Sequence, residues 1–130
     1  MVVDTSALLA ILEGESIAQR LVDALSAADA IRVSAGTALD AGIVVEARRG
    51  EAGGRELDLL LHRLRADVVS VTAEHVEIAR DAYRRYGKGH HPAALNFGDC
   101  FAYALASALG EPLMFVGNDF ARTDVEAATY

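Results

Sequence analysis

Short apolar runs alternate along the chain with stretches in which apolar residues recur at helical spacing. The runs have the length of buried strands and cover Met1 to Val3, Ile31 to Ser34, Val68 to Val71, and Leu113 to Val116. Helical spacing is followed by Ile17, Leu21, Leu25 and Ala28, by Leu57, Leu60, Leu61 and Leu64, and by Val76, Ala79, Tyr83 and Tyr86. This alternation predicts an α/β fold of three layers, in which helices flank a short, mostly parallel central sheet.

The remaining segments complete the predicted order of elements. Residues Phe101 to Leu109 are apolar on nearly every side, which predicts a buried helix ending at Gly110. Gly50 to Gly54 predicts a loop between two helices, and Tyr86 to Asn96 predicts the longest exposed loop. Because no linker or repeat divides the chain, we expect residues 1–130 to form one domain.

Composition narrows the class of protein. Hydrophobic residues make up 52% of the 130 residues and only two are prolines, which excludes a disordered chain. The net charge of -7 argues against broad attraction to phosphate, although bound divalent cations would reverse the charge locally. The single cysteine, Cys100, cannot form an internal disulfide, and no apolar run has the roughly 18 residues of a membrane span. We therefore expect a soluble cytoplasmic protein that does not associate with a membrane.

Four aspartates follow the predicted strands or begin the predicted helices. Asp4 ends the first strand, Asp40 lies in the first turn or so of the helix after the second, and Asp119 follows the last strand. Asp99 lies in the opening turn of the buried helix. In right-handed βαβ units the helix amino termini and strand carboxyl termini share one edge of the sheet, so the four carboxylates should converge there. Mg²⁺ or Mn²⁺ would neutralise such a cluster, and one or two of these ions catalyse phosphodiester hydrolysis.

Three of these acids also have purely local explanations. Asp4 is equally well explained as the N-cap of a helix starting at Thr5. Asp99 fits the third position of a helix that Asn96 caps, and Asp119 fits a turn. Only their common edge favours a shared site over three separate local roles.

Asp40 is the acid that local structure explains least well. Ile43 and Val44 lie one turn further along its helix, which predicts that Asp40 faces the core. A buried carboxylate needs a partner, and either a metal ion or an arginine could supply it.

Three segments together resemble the PIN-domain family, and more narrowly its VapC-type toxins. They are Met-Val-Val-Asp-Thr-Ser-Ala-Leu at the start, Asn96 to Ala104, and Phe115 to Phe120. The resemblance spans the whole chain and implies a PIN fold and a metal-dependent endoribonuclease, the toxin of a bacterial toxin–antitoxin pair. It also implies an RNA substrate, Mg²⁺ or Mn²⁺, a homodimer, and a cognate VapB-type antitoxin that plugs the acidic site.

The same resemblance assigns roles to the acids. Asp4 and Asp99 match the firmest metal ligands, Asp119 matches the fourth acid, and Asp40 stands where the family usually has Glu. The positions that commonly support the site are matched by Thr5, Ser6 and Asn96. Asp is one methylene shorter than Glu, which withdraws the carboxylate of Asp40 by about 1.5 Å.

That departure leaves an alternative function open, a catalytically weakened PIN-like domain that binds protein or RNA. Glu46 is a poor substitute for the missing Glu, because six residues along a helix rotate it about 120° from Asp40. A small-molecule phosphatase is disfavoured, because Asp4 is followed by Thr5 and Ser6 instead of forming an Asp-x-Asp pair.

Cations concentrate near the end of one predicted helix. We expect Arg84, Arg85 and Lys88 to contact RNA, with Arg80 nearby. A solvated helix face with i, i+4 ion pairs explains the same cluster equally well.

Overall fold

The central sheet has four short strands, all parallel. The structure, a computed structural model, describes residues 1–130. The strands are β1 (Val2–Val3), β2 (Arg32–Ser34), β3 (Asp67–Val69) and β4 (Leu113–Met114). They lie in the order β3-β2-β1-β4, with Val2 opposite both Arg32 and Leu113. Every strand therefore ends at the same edge, as the sequence predicts.

Five α-helices connect and cover these strands. They are α1 (Thr5–Leu12), α2 (Ala18–Ala27), α3 (Ala35–Arg63), α4 (Ala73–Tyr86) and α5 (Phe97–Leu109), and a 3₁₀ turn spans Phe120–Arg122. The buried helix α5 ends at Gly110, whose φ of 64° is the left-handed conformation common at helix ends. None of the helices combines the length and the apolar character that crossing a membrane requires.

The helices form one layer on each face of the sheet. Val3 and Met114 face a core cluster built with α1, α2 and α3. Their neighbours Val2 and Leu113 face a second cluster built with α4 and α5. Because successive side chains of a strand point to opposite faces, two-residue strands suffice to join both cores. The three-layer α/β prediction is confirmed.

The break that the sequence predicts between two helices at residues 50–54 is present, but it is one residue long and not a loop. Only Gly50 leaves the helical conformation, with a φ of 65° and a ψ of -161°, and α3 continues on both sides of it. A Cβ on Gly53 would lie 2.9 Å from the carbonyl oxygen of Val45, so the two arms of α3 pack more closely than a larger residue allows. The glycines therefore mark one bend and one close helix contact, which the sequence alone does not distinguish from a loop.

A hydrogen-bond network ties α4 and α5 to the carboxyl-terminal segment. The Tyr103 side chain is buried, and its hydroxyl donates a hydrogen bond to Asp124. Arg85 Nη2 in turn donates to Tyr103 Oη at 2.9 Å. Arg85 also contacts Asp81 at 2.9 Å and Asp124 at 3.4 Å. Burial raises the pKa of Tyr103 to about 12, and the hydrogen bond from Tyr103 lowers the pKa of Asp124. Neither group therefore titrates near neutral pH.

We predict that Tyr103→Phe lowers the free energy of unfolding by about 1–2 kcal/mol, because Asp124 and Arg85 lose their shared hydroxyl partner. The difference should stay constant between pH 6 and 9. The Asp124 contribution is lost only as pH falls through its lowered pKa, and the Tyr103 contribution only as pH rises through about 12. Urea unfolding measures both quantities. Tyr83→Phe is the control, because the Tyr83 hydroxyl contact to Lys88 is exposed and 3.5 Å long.

Candidate active site

Asp4 begins the site at the end of β1. It caps α1, and its Oδ2 accepts hydrogen bonds from the Ser6 backbone N–H at 3.0 Å and the Ser6 hydroxyl at 2.7 Å. Its side chain is buried, and Oδ1 has no hydrogen-bond partner. Burial raises the pKa of Asp4 above its ordinary value. The N-cap explanation is thus confirmed, but it accounts for only one of the two carboxylate oxygens.

Ser6 connects this carboxylate to the segment after β4. Its hydroxyl donates to Asp4 and accepts from the backbone N–H of Val116 at 3.0 Å. The hydroxyl therefore fixes the start of α1 against the chain that leads to Asp119.

Asp99 lies in the first turn of α5 and forms a capping box with Asn96. The Asn96 side chain accepts from the Asp99 N–H at 2.9 Å, and Asp99 Oδ2 accepts from the Asn96 N–H at 2.9 Å. Burial, followed by the negative charges of Asp4, Asp119 and Asp40, raises the pKa of Asp99 to about 7. All three other acids therefore lie within electrostatic reach of Asp99.

Asp40 is held by contacts that the sequence does not reveal. Helix α3 begins at Ala35, so Asp40 lies in its second turn, where Thr5 Oγ1 donates to Asp40 Oδ2 at 2.7 Å. The argument from apolar neighbours is wrong, because the Ile43 side chain is 59% exposed. The partner of Asp40 in the structure is a hydroxyl and not an arginine. On its other side the carboxylate lies against Gly98, where a Cβ would come within 2.6 Å of Oδ2.

Asp119 is the exposed member of the group. It follows β4 and precedes the 3₁₀ turn, and its side chain makes no capping hydrogen bond there. Its charge nevertheless contributes to the raised pKa of Asp99. Glu46 lies further along α3 and lines a separate cavity of about 380 Å³ beside Gly54.

The chemistry of these groups suits a hard divalent cation. All four are carboxylates, the donor that Mg²⁺ and Mn²⁺ prefer, and Asp4 offers a buried oxygen without a partner. In the conformation described, no three His, Cys, Asp or Glu side chains are arranged to hold a metal ion. Asp4, Asp40 and Asp99 accept hydrogen bonds from Ser6, Thr5 and Asn96, in each case through Oδ2.

A groove of about 850 Å³ runs between α4 and α5 beside the acids. Its lining contains three cations and no acidic residue, and Asn96 belongs to it. The cations are Arg80, Arg84 and Lys88. Arg85 is absent from this lining, because its guanidinium is engaged in the network with Tyr103. Of the cations predicted to contact RNA, Arg84 and Lys88 line the groove, and Arg84 Nη2 also lies 3.8 Å from Asp81 Oδ1.

Sequence reasoning missed two residues near the site. Phe97 is 78% exposed, and its ring lies edge-on to Phe101 at 5.0 Å. Gly98 is buried in the first turn of α5, and a glycine inside a helical pattern is the available signal of close approach. Tyr83, which follows the apolar spacing of α4, is nevertheless 39% exposed.

Comparison with known proteins shows which family this chain resembles. The family model described as PIN domain matches residues 1–126. Ribonuclease VapC30 of Mycobacterium tuberculosis is 52% identical over 125 residues, which cover 96% of this chain and 95% of the relative. Ribonuclease VapC of Mycolicibacterium smegmatis is 53% identical over 127 residues, which cover 98% of each chain.

Solved structures show the same fold at much lower sequence identity. The crystal structure of Mycobacterium tuberculosis VapC20, described as a sarcin-ricin loop cleaving toxin, matches 95% of each chain with a TM-score of 0.78 and 19% identity. VapBC2 from Rickettsia felis, bound to a DNA fragment from its promoter, matches with a TM-score of 0.75 and 15% identity, over 97% of this chain and 94% of that one. From the family match and the relatives at 52–53% identity, the chain belongs to the PIN-domain family, among the VapC proteins.

Proposed function

We propose that this protein is a Mg²⁺- or Mn²⁺-dependent endoribonuclease that acts as the toxin of a VapBC-type toxin–antitoxin pair. The observation that carries the proposal is the placement of four aspartates at the edge of the sheet where the strands end. Asp4, Asp40 and Asp119 all raise the pKa of Asp99, although they come from distant parts of the chain. The names of the relatives, VapC ribonucleases, support the same activity.

Each acid is assigned a role by its surroundings. Asp4 and Asp99 are the proposed principal ligands, because each is fixed by a helix cap that leaves a carboxylate oxygen available. Asp40 and Asp119 complete the set from α3 and from the segment after β4. When bound, the cation supplies activation of water and stabilisation of charge on the phosphate. Thr5, Ser6 and Asn96 orient Asp40, Asp4 and Asp99 through the hydrogen bonds described above.

The groove between α4 and α5 supports an RNA substrate. Arg84 and Lys88 line it, and Asn96 joins it to the acidic site. Phosphate contacts by Arg and Lys supply most of the sequence-independent affinity for nucleic acid. We assign Arg84 and Lys88 to the phosphate backbone on one side of the cleaved bond.

An antitoxin and a second copy of the chain are the proposed protein partners. A toxin–antitoxin complex from Klebsiella pneumoniae shares the fold, with a TM-score of 0.71 at 14% identity, 95% coverage of this chain and 92% of that one. Leu39 and Ile43 are 65% and 59% exposed and lie about one turn apart on α3. Exposed apolar side chains grouped in this way are typical of surfaces that bind another protein.

The alternative function is a binding module with weakened catalysis, and two observations favour it. Asp40 is shorter than the Glu usual at its position, and the acids are not arranged around a common metal position in the described conformation. Comparing the natural chain with Asp40→Glu separates the two functions. Cleavage only by Asp40→Glu would mean that the missing methylene silences the site, and cleavage by neither would favour the binding module.

We predict that Asp99→Asn abolishes RNA cleavage in Mg²⁺ or Mn²⁺. Asn preserves the shape and the capping acceptor but removes the ligand charge. Loss of a residue that only supports a metal ligand already lowers metal affinity or activity by about 10–100-fold. The loss should exceed about 100-fold in an assay with a mixed RNA substrate, and chelator should abolish cleavage by the natural chain. Asp58→Asn is the matched control, because Asp58 is an exposed acid of α3 outside the site. Cleavage that survives Asp99→Asn would contradict the proposed site.

A second prediction concerns the groove. In an Asp99→Asn background, which does not cut the RNA, replacing both Arg84 and Lys88 by Gln should weaken binding of a labelled single-stranded RNA. The slope of log Kd against log salt concentration should fall by about 1.4, because each contact to a single strand contributes about 0.7. Fluorescence anisotropy at several salt concentrations measures the slope. Arg63→Gln, at the exposed end of α3, should leave it unchanged, and an unchanged slope in the double variant would exclude this groove as the RNA path.

A further inference from the structure

Helices α3 and α5 touch through a reciprocal pair of glycines. Gly36 of α3 lies beneath the ring of Phe101, where an added Cβ would come within 2.3 Å of ring carbons. Gly98 of α5 lies against Asp40, and the three atoms nearest to its added Cβ, at 2.6, 2.8 and 3.0 Å, all belong to the Asp40 carboxylate. Each helix therefore uses a glycine where the other helix places a side chain.

Neither glycine is explained by local backbone conformation. Both lie in regular helix, and neither is among the glycines with a positive φ. Ala would favour the helical conformation more than Gly at these positions. The remaining explanation is that glycine, which has no Cβ, leaves room for a side chain of the opposite helix.

The close approach of the helices affects the reach of Asp40. An Asp carboxylate lies about one methylene closer to its own helix than a Glu carboxylate. With Gly98 opposite, the short side chain of Asp40 still extends to the first turn of α5, next in sequence to Asp99. Thr5 then fixes the carboxylate with its 2.7 Å hydrogen bond.

We propose that Gly36 and Gly98 are positioning residues, which set the distance between α3 and α5 so that an aspartate at position 40 joins the acidic cluster. This inference rests on the proposed metal-dependent function. Gly98 acts by direct contact with the carboxylate, and Gly36 acts through the packing of Phe101 against α3.

A double-mutant cycle tests the Gly98 contact without any metal. In chelator, Gly98→Ala should lower Tm of the natural chain by about 3–5 °C more than it lowers Tm of Asp40→Ala, because the added methyl group displaces the Asp40 carboxylate from its hydrogen bond with Thr5. In the Asp40→Ala background the atoms that the methyl group would strike are gone, and the helical preference of Ala should leave Tm unchanged or raise it. Gly42→Ala on α3 is the matched control, since its Cβ would lie 3.9 Å from Leu57, an ordinary contact. Equal losses in both backgrounds would overturn the Gly98 assignment.

Binding of Mn²⁺ alone tests the consequence for the site. The electron paramagnetic resonance signal of free Mn²⁺ should show about 10-fold weaker binding for folded Gly98→Ala and Gly36→Ala than for the natural chain or Gly42→Ala. Adding Phe101→Leu to Gly36→Ala should restore affinity to within about threefold, because the smaller side chain makes room for the methyl group. Natural Mn²⁺ affinity in both folded glycine variants would overturn the positioning role.

The two readouts separate this inference from the proposed function. If the natural chain binds no Mn²⁺ but the Tm cycle shows the expected coupling, the metal-dependent function fails and the placement of Asp40 by Gly98 stands. If Mn²⁺ binds and RNA is cut but the cycle shows no coupling, the function stands and the positioning inference fails.

Discussion

Like-charge repulsion among four carboxyl groups at one edge of the sheet opposes folding, and much of the surrounding structure offsets that repulsion. Asp4 is buried with one oxygen unpartnered, and burial together with its neighbours raises the pKa of Asp99 to about 7. The chain holds these groups with internal donors from Thr5, Ser6 and Asn96. Such an arrangement costs stability in the absence of a counter-charge, which is the physical reason to regard it as a functional site.

The parallel sheet makes the arrangement possible with very little regular strand. Because all four strands end at one edge, a residue that follows a strand and a residue that begins a helix meet there. Two-residue strands are enough, since Val2 and Val3 anchor opposite cores. The same local features therefore serve two purposes, in that the caps of α1 and α5 stabilise the helices and also fix the acids.

Sequence alone predicted the order of elements, the parallel sheet and the common edge, because these follow from hydrophobic periodicity and topology. It also predicted the capping box of Asn96 and Asp99, which depends on residues three positions apart. It did not predict the exposure of Ile43, the contact between Gly98 and Asp40, or the bend of α3 at Gly50 alone. These features depend on how distant helices pack, and neither residue type nor spacing within one helix specifies that distance. Arg85 illustrates the same limit, because its role follows from Tyr103 and Asp124, which are far away in the sequence.

The most direct test of the account is the effect of Mg²⁺ on the thermal unfolding of the natural chain and of Asp99→Asn. If the four carboxylates share one cation site, saturating Mg²⁺ should raise Tm of the natural chain and raise that of Asp99→Asn much less. In chelator, Asp99→Asn should unfold at or above the temperature of the natural chain, because it lacks one of the mutually repelling charges. A Tm that Mg²⁺ leaves unchanged, or raises equally in both proteins, would contradict the claim that these acids form one cation-dependent site.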